Sequence, residues 1–128
     1  MKIGIITITN GENFGNRLQN YALQKYLEKM DIKSETFLNN TGYNSIIIYH
    51  IKKILKFTKH TLLYILKGNQ ESLRILKFMN FNKKINYSRY ILNNDKYSES
   101  VEKKYDYFIA GSDQIWNLNY PENNIIYF

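Results

Sequence analysis

Apolar residues along the chain occur in short continuous runs and in longer stretches with helical spacing. The apolar run in Lys2–Thr9 predicts a first strand, and Lys33–Leu38, which is followed by a cluster of turn residues, is predicted as the second. Between them, over Arg17–Met30, apolar residues recur at three- and four-residue intervals, which predicts a helix. Asn16 precedes this stretch and is the expected N-cap, since its side chain can accept an N–H of the first turn. The recurring apolar residues are Leu18, Tyr21, Ala22, Tyr26 and Met30.

The second half of the chain predicts a helical excursion followed by one more strand. A long helix is expected over Ser45–Lys67 and a shorter one over Gln70–Lys83. An irregular polar segment, Ile85–Glu99, follows, and then a short helical turn over Ser100–Lys104. The apolar run within Tyr105–Ala110 predicts a third strand. The fold class is therefore α/β, with a Rossmann-like parallel sheet and helices on both faces, in a single domain over residues 1–128.

The helix expected over Ser45–Lys67 is strongly amphipathic. Ile47, Ile51, Ile54, Leu55, Leu62, Ile65 and Leu66 share one arc of a helical wheel, and Lys52, Lys53, Lys56, Lys59 and His60 lie opposite. We expect the apolar arc to pack in the core and the lysine face to be solvated. The competing hypothesis is peripheral association of residues 46–67 with an anionic membrane surface.

The formal net charge of +7 is concentrated in the middle of the chain. Residues 46–90 contain ten Lys or Arg and one acid, Glu71, which gives +9. Such a segment suits nucleic acid, anionic lipid or a polyanionic glycan. The abundance of Lys, Asn and Ile also indicates an A+T-rich genome, which explains the charge without a ligand. No nucleic-acid-binding signature is present, so no specific nucleic-acid partner is predicted.

Other sequence features indicate the cellular compartment of the protein and exclude certain kinds of site. The chain has no cysteine, which excludes disulfides, thiolate metal sites and a cysteine nucleophile. It has no apolar stretch of membrane-spanning length and no signal peptide at its N-terminus, so a cytoplasmic location is predicted. His50 and His60 have no metal-ligand spacing, so no metal is expected. The sequence ends in an apolar run, Ile125–Phe128, from which we expect the front portion of a longer protein.

Two polar loops follow the first and the last predicted strands. If these strands are parallel neighbours, both loops lie at the carboxyl edge of the sheet, where open α/β sheets bind ligands. The loops and the start of the first helix supply the candidate site. Its residues are Asn10, Glu12, Asn13, Gly15, Asn16, Arg17, Gln19, Gly111, Ser112, Asp113, Gln114, Trp116 and Asn117.

Asp113 is the candidate catalytic base, because a carboxylate at a strand end can accept a proton from a sugar hydroxyl. Trp116 can stack on the apolar face of a sugar. The alternatives are that Asp113 caps a turn and that Trp116 belongs to the core. Glu12, in the facing loop, is the second carboxylate and could share one acceptor with Asp113. Asp106, at the other end of its strand, is expected to be structural.

The first loop also has the features of an anion or hydroxyl site. Gly11 and Gly15 allow positive φ and close approach of a ligand, and the N–H groups of the first helical turn face the crevice. Arg17 lies in that turn against the helix dipole. It is either a ligand contact or a solvated surface group. The glycines fit neither a Walker A motif nor the dinucleotide fingerprint.

The same two segments carry a resemblance. NFGNRLQNYALQKYLE at Asn13–Glu28 and YDYFIAGSDQIWN at Tyr105–Asn117, with Phe78 and Phe81 between them, resemble the front part of the polysaccharide pyruvyl transferase family. The resemblance implies transfer of pyruvate from phosphoenolpyruvate, as the donor substrate, to a sugar of a surface or capsular polysaccharide. No further cofactor or metal is implied.

The resemblance further implies the N-terminal, acceptor-side half of a two-domain enzyme similar to GT-B glycosyltransferases. Its partner would be a sugar or a lipid-linked oligosaccharide acceptor, and the donor-binding residues would lie in the other half, so the chain alone is expected to be inactive. The alternative function is a non-catalytic α/β module that binds a glycan or an anionic surface. Nucleotide binding on a generic Rossmann scaffold is a third hypothesis.

Overall fold

The computed structural model describes residues 1–9, 11–39, 46–92 and 99–111. Four strands alternate with helices, and two consecutive helices connect the second strand to the third. The strands are β1 (Lys2–Thr7), β2 (Lys33–Asn39), β3 (Tyr87–Leu92) and β4 (Tyr107–Gly111). The helices are α1 (Phe14–Lys29), α2 (Ile46–Lys67), α3 (Gln70–Asn82) and α4 (Glu99–Glu102).

The four strands form one parallel sheet in the order β3-β2-β1-β4. From β1 the chain first adds strands on one side, through β2 to β3, and then places β4 on the other side of β1. The pairing of Ile5 with Thr36 fixes the register of β2, and the pairing of Thr7 with Gly111 fixes that of β4. This arrangement confirms the predicted α/β class and the Rossmann-like parallel sheet.

The prediction of three strands is wrong, because β3 lies in the segment expected to be irregular. Its residues are mostly polar or aromatic, and the strand lies at the edge of the sheet, next to β2 alone. Ser88 is buried there although its hydroxyl gives no apolar signal. An edge strand of this composition lacks the continuous apolar run by which a central parallel strand is recognised.

Each face of the sheet has its own apolar cluster. Ile3, Ile5 and Leu27 form the cluster beneath α1, so this helix covers one face. Phe37 and Tyr105 form the other cluster, which also contacts Phe108 and, from α4, Val101. Helices therefore lie on both faces, as predicted. α3 packs beside α1 through two edge-to-face aromatic pairs, Phe14 with Phe78 at 4.9 Å and Tyr21 with Phe81 at 5.5 Å between ring centroids.

The predicted N-cap of α1 is wrong, and the apolar residues that indicated the helix are not the ones that it buries. The N-cap is Asn13, three residues before Asn16, and its side-chain oxygen accepts the N–H of Asn16 at 3.2 Å. Leu18 and Tyr26 are 53% and 63% exposed, and the helix buries a mainly polar row instead. That row consists of Arg17, Asn20, Gln24 and Leu27.

Hydrogen bonds to the sheet explain why the polar side of α1 faces inward. The Gln24 amide donates to the Thr36 hydroxyl and to the Asn86 carbonyl, both at 2.9 Å, and accepts the Asn86 N–H at 2.9 Å. The Thr36 hydroxyl in turn donates to the Asn20 side-chain oxygen at 2.8 Å. These paired polar groups connect α1 to β2 and to the start of β3, so their burial is compatible with a stable fold.

α2 also has the reverse of its expected orientation. Its apolar arc was expected in the core, but the side chains of that arc are exposed. The opposite face points toward the domain: Lys56 forms an ion pair with Glu12, and the His60 ring nitrogen Nδ1 lies 3.1 Å from the Ser72 hydroxyl. Burial, and then the charge of Lys83, lower the pKa of Lys53 on that same face. The expected packing of the apolar arc in the core is therefore wrong, whereas Lys52, Lys56 and Lys59 are exposed, as expected of the lysine face.

Candidate functional site

The loop that follows β1 and the end of β4 lie side by side at the carboxyl edge of the sheet. Thr7 and Gly111 are register partners in two adjacent parallel strands. The condition set by the sequence, that the first and last predicted strands be parallel neighbours, is confirmed. Between β1 and β4 the strand order also reverses, and in open α/β sheets ligands bind outside such a reversal point.

The N-terminus of α1 opens onto this edge. Asn13 caps the helix, and the N–H groups of Phe14 and Gly15 precede the first intrahelical hydrogen bond, so they have no acceptor within the helix. A Cβ atom on Gly15 would lie 3.2 Å from the capping oxygen of Asn13. Of the two glycines that allow positive φ, Gly11 adopts it, at 67°, and Gly15 does not. Gly15 therefore leaves space for the cap.

Arg17 is buried, with 2% of its surface exposed, so it is not the solvated group that one hypothesis described. Its guanidinium donates to the main-chain carbonyls of Ile8 at 3.0 Å, of Thr9, and of Gly11 at 3.4 Å. Burial lowers the pKa of Arg17 from its ordinary value, although an arginine remains charged at neutral pH. Within the described part of the chain, no carboxylate forms an ion pair with it.

On the inner side of α1, near this edge, two buried nitrogen atoms have no hydrogen-bond acceptor among the described residues. They are Nε of Arg17 and Nδ2 of Asn20. Both are donors, and the two residues are one helical turn apart. The first turns of α1 are thus rich in donors, whereas the loop carbonyls before it are already engaged by Arg17.

Glu12 connects the same loop to the two helices of the excursion. One carboxylate oxygen pairs with Lys56 of α2, and the other lies 3.3 Å from a guanidinium nitrogen of Arg74 of α3. Arg74 also pairs with Glu71 at 2.6 Å. The sequence pattern did not single out Lys56 or Arg74 as neighbours of the site, because they belong to helices that are more than 40 positions from Glu12 in the chain and reach it only through the tertiary fold.

The remaining candidate residues divide into those the structure describes and those it does not. Gln19 is exposed on α1, and Asn16 lies in the first turn behind its cap. Gly111 is the last residue of β4. The other candidates, together with the C-terminal apolar run, lie outside the described residues. These are Asn10, Ser112, Asp113, Gln114, Trp116, Asn117 and Ile125–Phe128.

Asp106 lies at the opposite edge, as the sequence predicted. Its carboxylate accepts the N–H of Lys2 at 2.6 Å, and its own N–H donates to the Lys2 carbonyl at 2.8 Å, which joins the starts of β1 and β4. A groove of about 650 Å³ also opens on this amino-terminal edge, between Lys2, Glu35 and the end of α1 near Glu28. Its lining mixes both charge signs, and it is remote from the loops after β1 and β4.

The described residues contain no cluster of three or more His, Asp or Glu side chains suited to a metal ion. Of the helices in these ranges, none combines the length and apolarity needed to cross a bilayer. Comparison of the chain with protein-family models, with curated proteins and with solved structures gives no match. Evidence for function comes from the geometry of this edge of the sheet and from the sequence motifs beside it.

Proposed function

We propose that the chain is a polysaccharide pyruvyl transferase-like protein that binds its sugar acceptor at the carboxyl edge between β1 and β4. The observation that carries this proposal is the pairing of Thr7 with Gly111, which joins the two motif-bearing segments at the reversal point of the sheet. Thr7 and Gly111 are 104 positions apart in the chain, and their pairing brings the ends of β1 and β4, beside which the two motifs lie, to one edge of the sheet.

The proposed reaction converts two sugar hydroxyls and phosphoenolpyruvate into a pyruvate ketal and inorganic phosphate. Both hydroxyl oxygens bond to C2 of the donor, the methylene carbon gains a proton and becomes a methyl group, and the C2–O bond to phosphate breaks. Of the two protons that the hydroxyls lose, the equivalent of one is gained by the methylene carbon, and the equivalent of the other leaves with the phosphate. In this scheme Asp113 deprotonates a hydroxyl, and Trp116 stacks on the sugar ring.

The charges around the first loop support an acceptor site more than a donor site. Three cations contact this loop, and each is already engaged: Arg17 by main-chain carbonyls, and Lys56 and Arg74 by Glu12. A donor that carries both a phosphate and a carboxylate needs more than one cation or helix N-terminus. With its cations engaged, the described part of this loop offers the N-terminus of α1. We therefore propose that this chain binds the acceptor and does not by itself release phosphate, and we place this activity in the cytoplasm.

Acceptor binding can be measured through the single tryptophan, Trp116. Methyl glycosides of glucose, galactose and mannose would be titrated against the chain while tryptophan emission is recorded. We expect at least one glycoside to shift the emission saturably, and Asp113→Asn to weaken that response at least tenfold. Asp31→Asn is the matched control, because Asp31 lies beyond the end of α1 with φ at 57°, a conformation that asparagine also adopts.

The reaction class has its own assay. Release of phosphate from phosphoenolpyruvate would be followed with and without the responding glycoside, and we expect no release by residues 1–128. The acceptor site would be contradicted if no glycoside changed the tryptophan emission, or if Asp113→Asn and Asp31→Asn weakened the response equally. Sugar-dependent phosphate release would contradict only the assignment of this chain to acceptor binding.

A further inference from the structure

The long helix α2 exposes an aliphatic surface along one side. Its exposed residues lie at positions 47, 48, 51, 54 and 55 and, one heptad after Leu55, at 62, 65 and 66, so they share one side of about 28 Å of helix. Ile51 and Leu55, near its middle, are 52% and 63% exposed. We call this stripe the α2 apolar face. It consists of Ile47, Ile48, Ile51, Ile54, Leu55, Leu62, Ile65 and Leu66.

Polar contacts on the opposite side fix the orientation of this face. Lys56 pairs with Glu12 in the loop after β1, and His60 contacts Ser72 of α3. The ammonium group of Lys83 lies 5.5 Å from the centre of the Phe57 ring, at a border of the apolar face. Turning the apolar face inward would break these contacts, so the helix presents it outward.

The charge around the face indicates what covers it. Residues 46–70 contain five lysines and two histidines and no acidic residue. Lys52 and Lys59, one heptad apart, follow the edge of the apolar face, where lysine side chains can extend from an apolar surface toward anionic headgroups. A second copy of the chain would bring five lysines against five, and this repulsion opposes self-association through α2.

We propose that α2 lies flat on an anionic lipid bilayer, with its apolar face inserted at the boundary between headgroups and acyl chains. Helices that bind in this way combine a strong apolar side with a lysine-rich polar side, and their binding increases with buried apolar area and with the anionic lipid content. The proposal does not depend on the proposed transferase function.

Through Glu12, a helix α2 that lies on the bilayer would also bring the candidate site close to the membrane. Because Glu12 bridges to both α2 and α3, the loop after β1 is held next to the helix that contacts the bilayer. Resting on the proposed function, this placement fits a sugar acceptor that is carried on a membrane lipid. A soluble acceptor would gain nothing from it.

Vesicle sedimentation tests the docking directly. The chain would be mixed with vesicles of phosphatidylcholine alone or with 30% phosphatidylglycerol, at low and at high salt. We expect binding to the anionic vesicles, with a reduction of at least tenfold on the neutral ones or at high salt. Ile51→Glu combined with Leu55→Glu should abolish binding, and Lys59→Gln should weaken it about fivefold.

The matched control changes two residues of α1 that have nearly the same exposure. Leu18 and Tyr26 are 53% and 63% exposed, so Leu18→Glu combined with Tyr26→Glu adds the same charge to a different helix. We expect this variant to bind as the original chain does, and circular dichroism should show both double variants folded. Absence of vesicle binding, equal loss in both double variants, or a dimer in solution that dissociates in the α2 variant would each overturn the proposal.

Discussion

The guanidinium of Arg17 donates a hydrogen bond to the main-chain carbonyl of Thr9, eight residues earlier in the chain. With its bonds to Ile8 and Gly11, it fastens the loop that follows β1 onto the first turns of α1. A loop that turns through buried space must satisfy its carbonyl groups, and here one planar cation satisfies three of them. Arg17 therefore shapes the edge at which we place the acceptor.

Replacing Arg17 with methionine tests this structural role. The change leaves three loop carbonyls without their donor while keeping similar side-chain bulk, and we expect a loss of about 2–4 kcal/mol in the free energy of unfolding. Urea denaturation measures it. Lys25→Met, at an exposed position of the same helix, should change stability by less than about 1 kcal/mol, because it removes only exposed contacts, an ion pair with Glu28 and a cation–π contact with Tyr21. A similar, small effect at both positions would show that Arg17 does not hold the loop.

Gly4, in the middle of β1, provides a second test of packing. A Cβ atom there would lie 2.7 Å from the ring of Phe37 and 2.8 Å from that of Phe108, in the aromatic cluster beneath α4. Gly4→Ala should therefore force these rings apart and destabilise the fold by about 1–3 kcal/mol. At Gly111 a Cβ would meet no atom of the described residues within 4 Å, so Gly111→Ala is the control. Equal unfolding midpoints for the two variants would contradict the close packing.

β1 and β4 were predictable from sequence because each contains a continuous apolar run. The candidate site required that β1 and β4 be adjacent parallel strands, and they are. The edge strand β3 was missed because its burial depends on polar partners such as Ser88, whose hydroxyl lies 3.1 Å from the Tyr105 hydroxyl. Periodicity of apolar residues carries no information about such pairs.

The two long helices show the limit of the same pattern. In α1, Gln24 is buried because Thr36 and Asn86 supply hydrogen-bond partners from distant parts of the chain. In α2, Glu12 draws Lys56 inward, and the aliphatic side turns outward. The helical wheel identifies two faces correctly, but it assigns the apolar one to the core by default. Which face is buried is decided by partners that lie elsewhere in the sequence.

Glu35 makes the stability of the sheet depend on pH. Partial burial raises the pKa of this carboxyl, but hydrogen bonds from Tyr105 at 2.7 Å and from Lys2 outweigh that effect, and its pKa is lowered overall. Burial raises the pKa of Tyr105 to about 12, so the phenol stays protonated and continues to donate.

A carboxyl whose folded pKa is depressed stabilises the fold above its unfolded pKa, and this contribution is lost as the pH falls through the folded value. The stability difference between the original chain and Glu35→Gln should therefore be constant from neutral pH down to about 5 and shrink below about 4.5. Urea unfolding at several pH values measures it, with Glu102→Gln, at an exposed position of α4, as the control. A difference that grows on acidification would show that the Glu35 carboxylate is not stabilised by Tyr105 and Lys2.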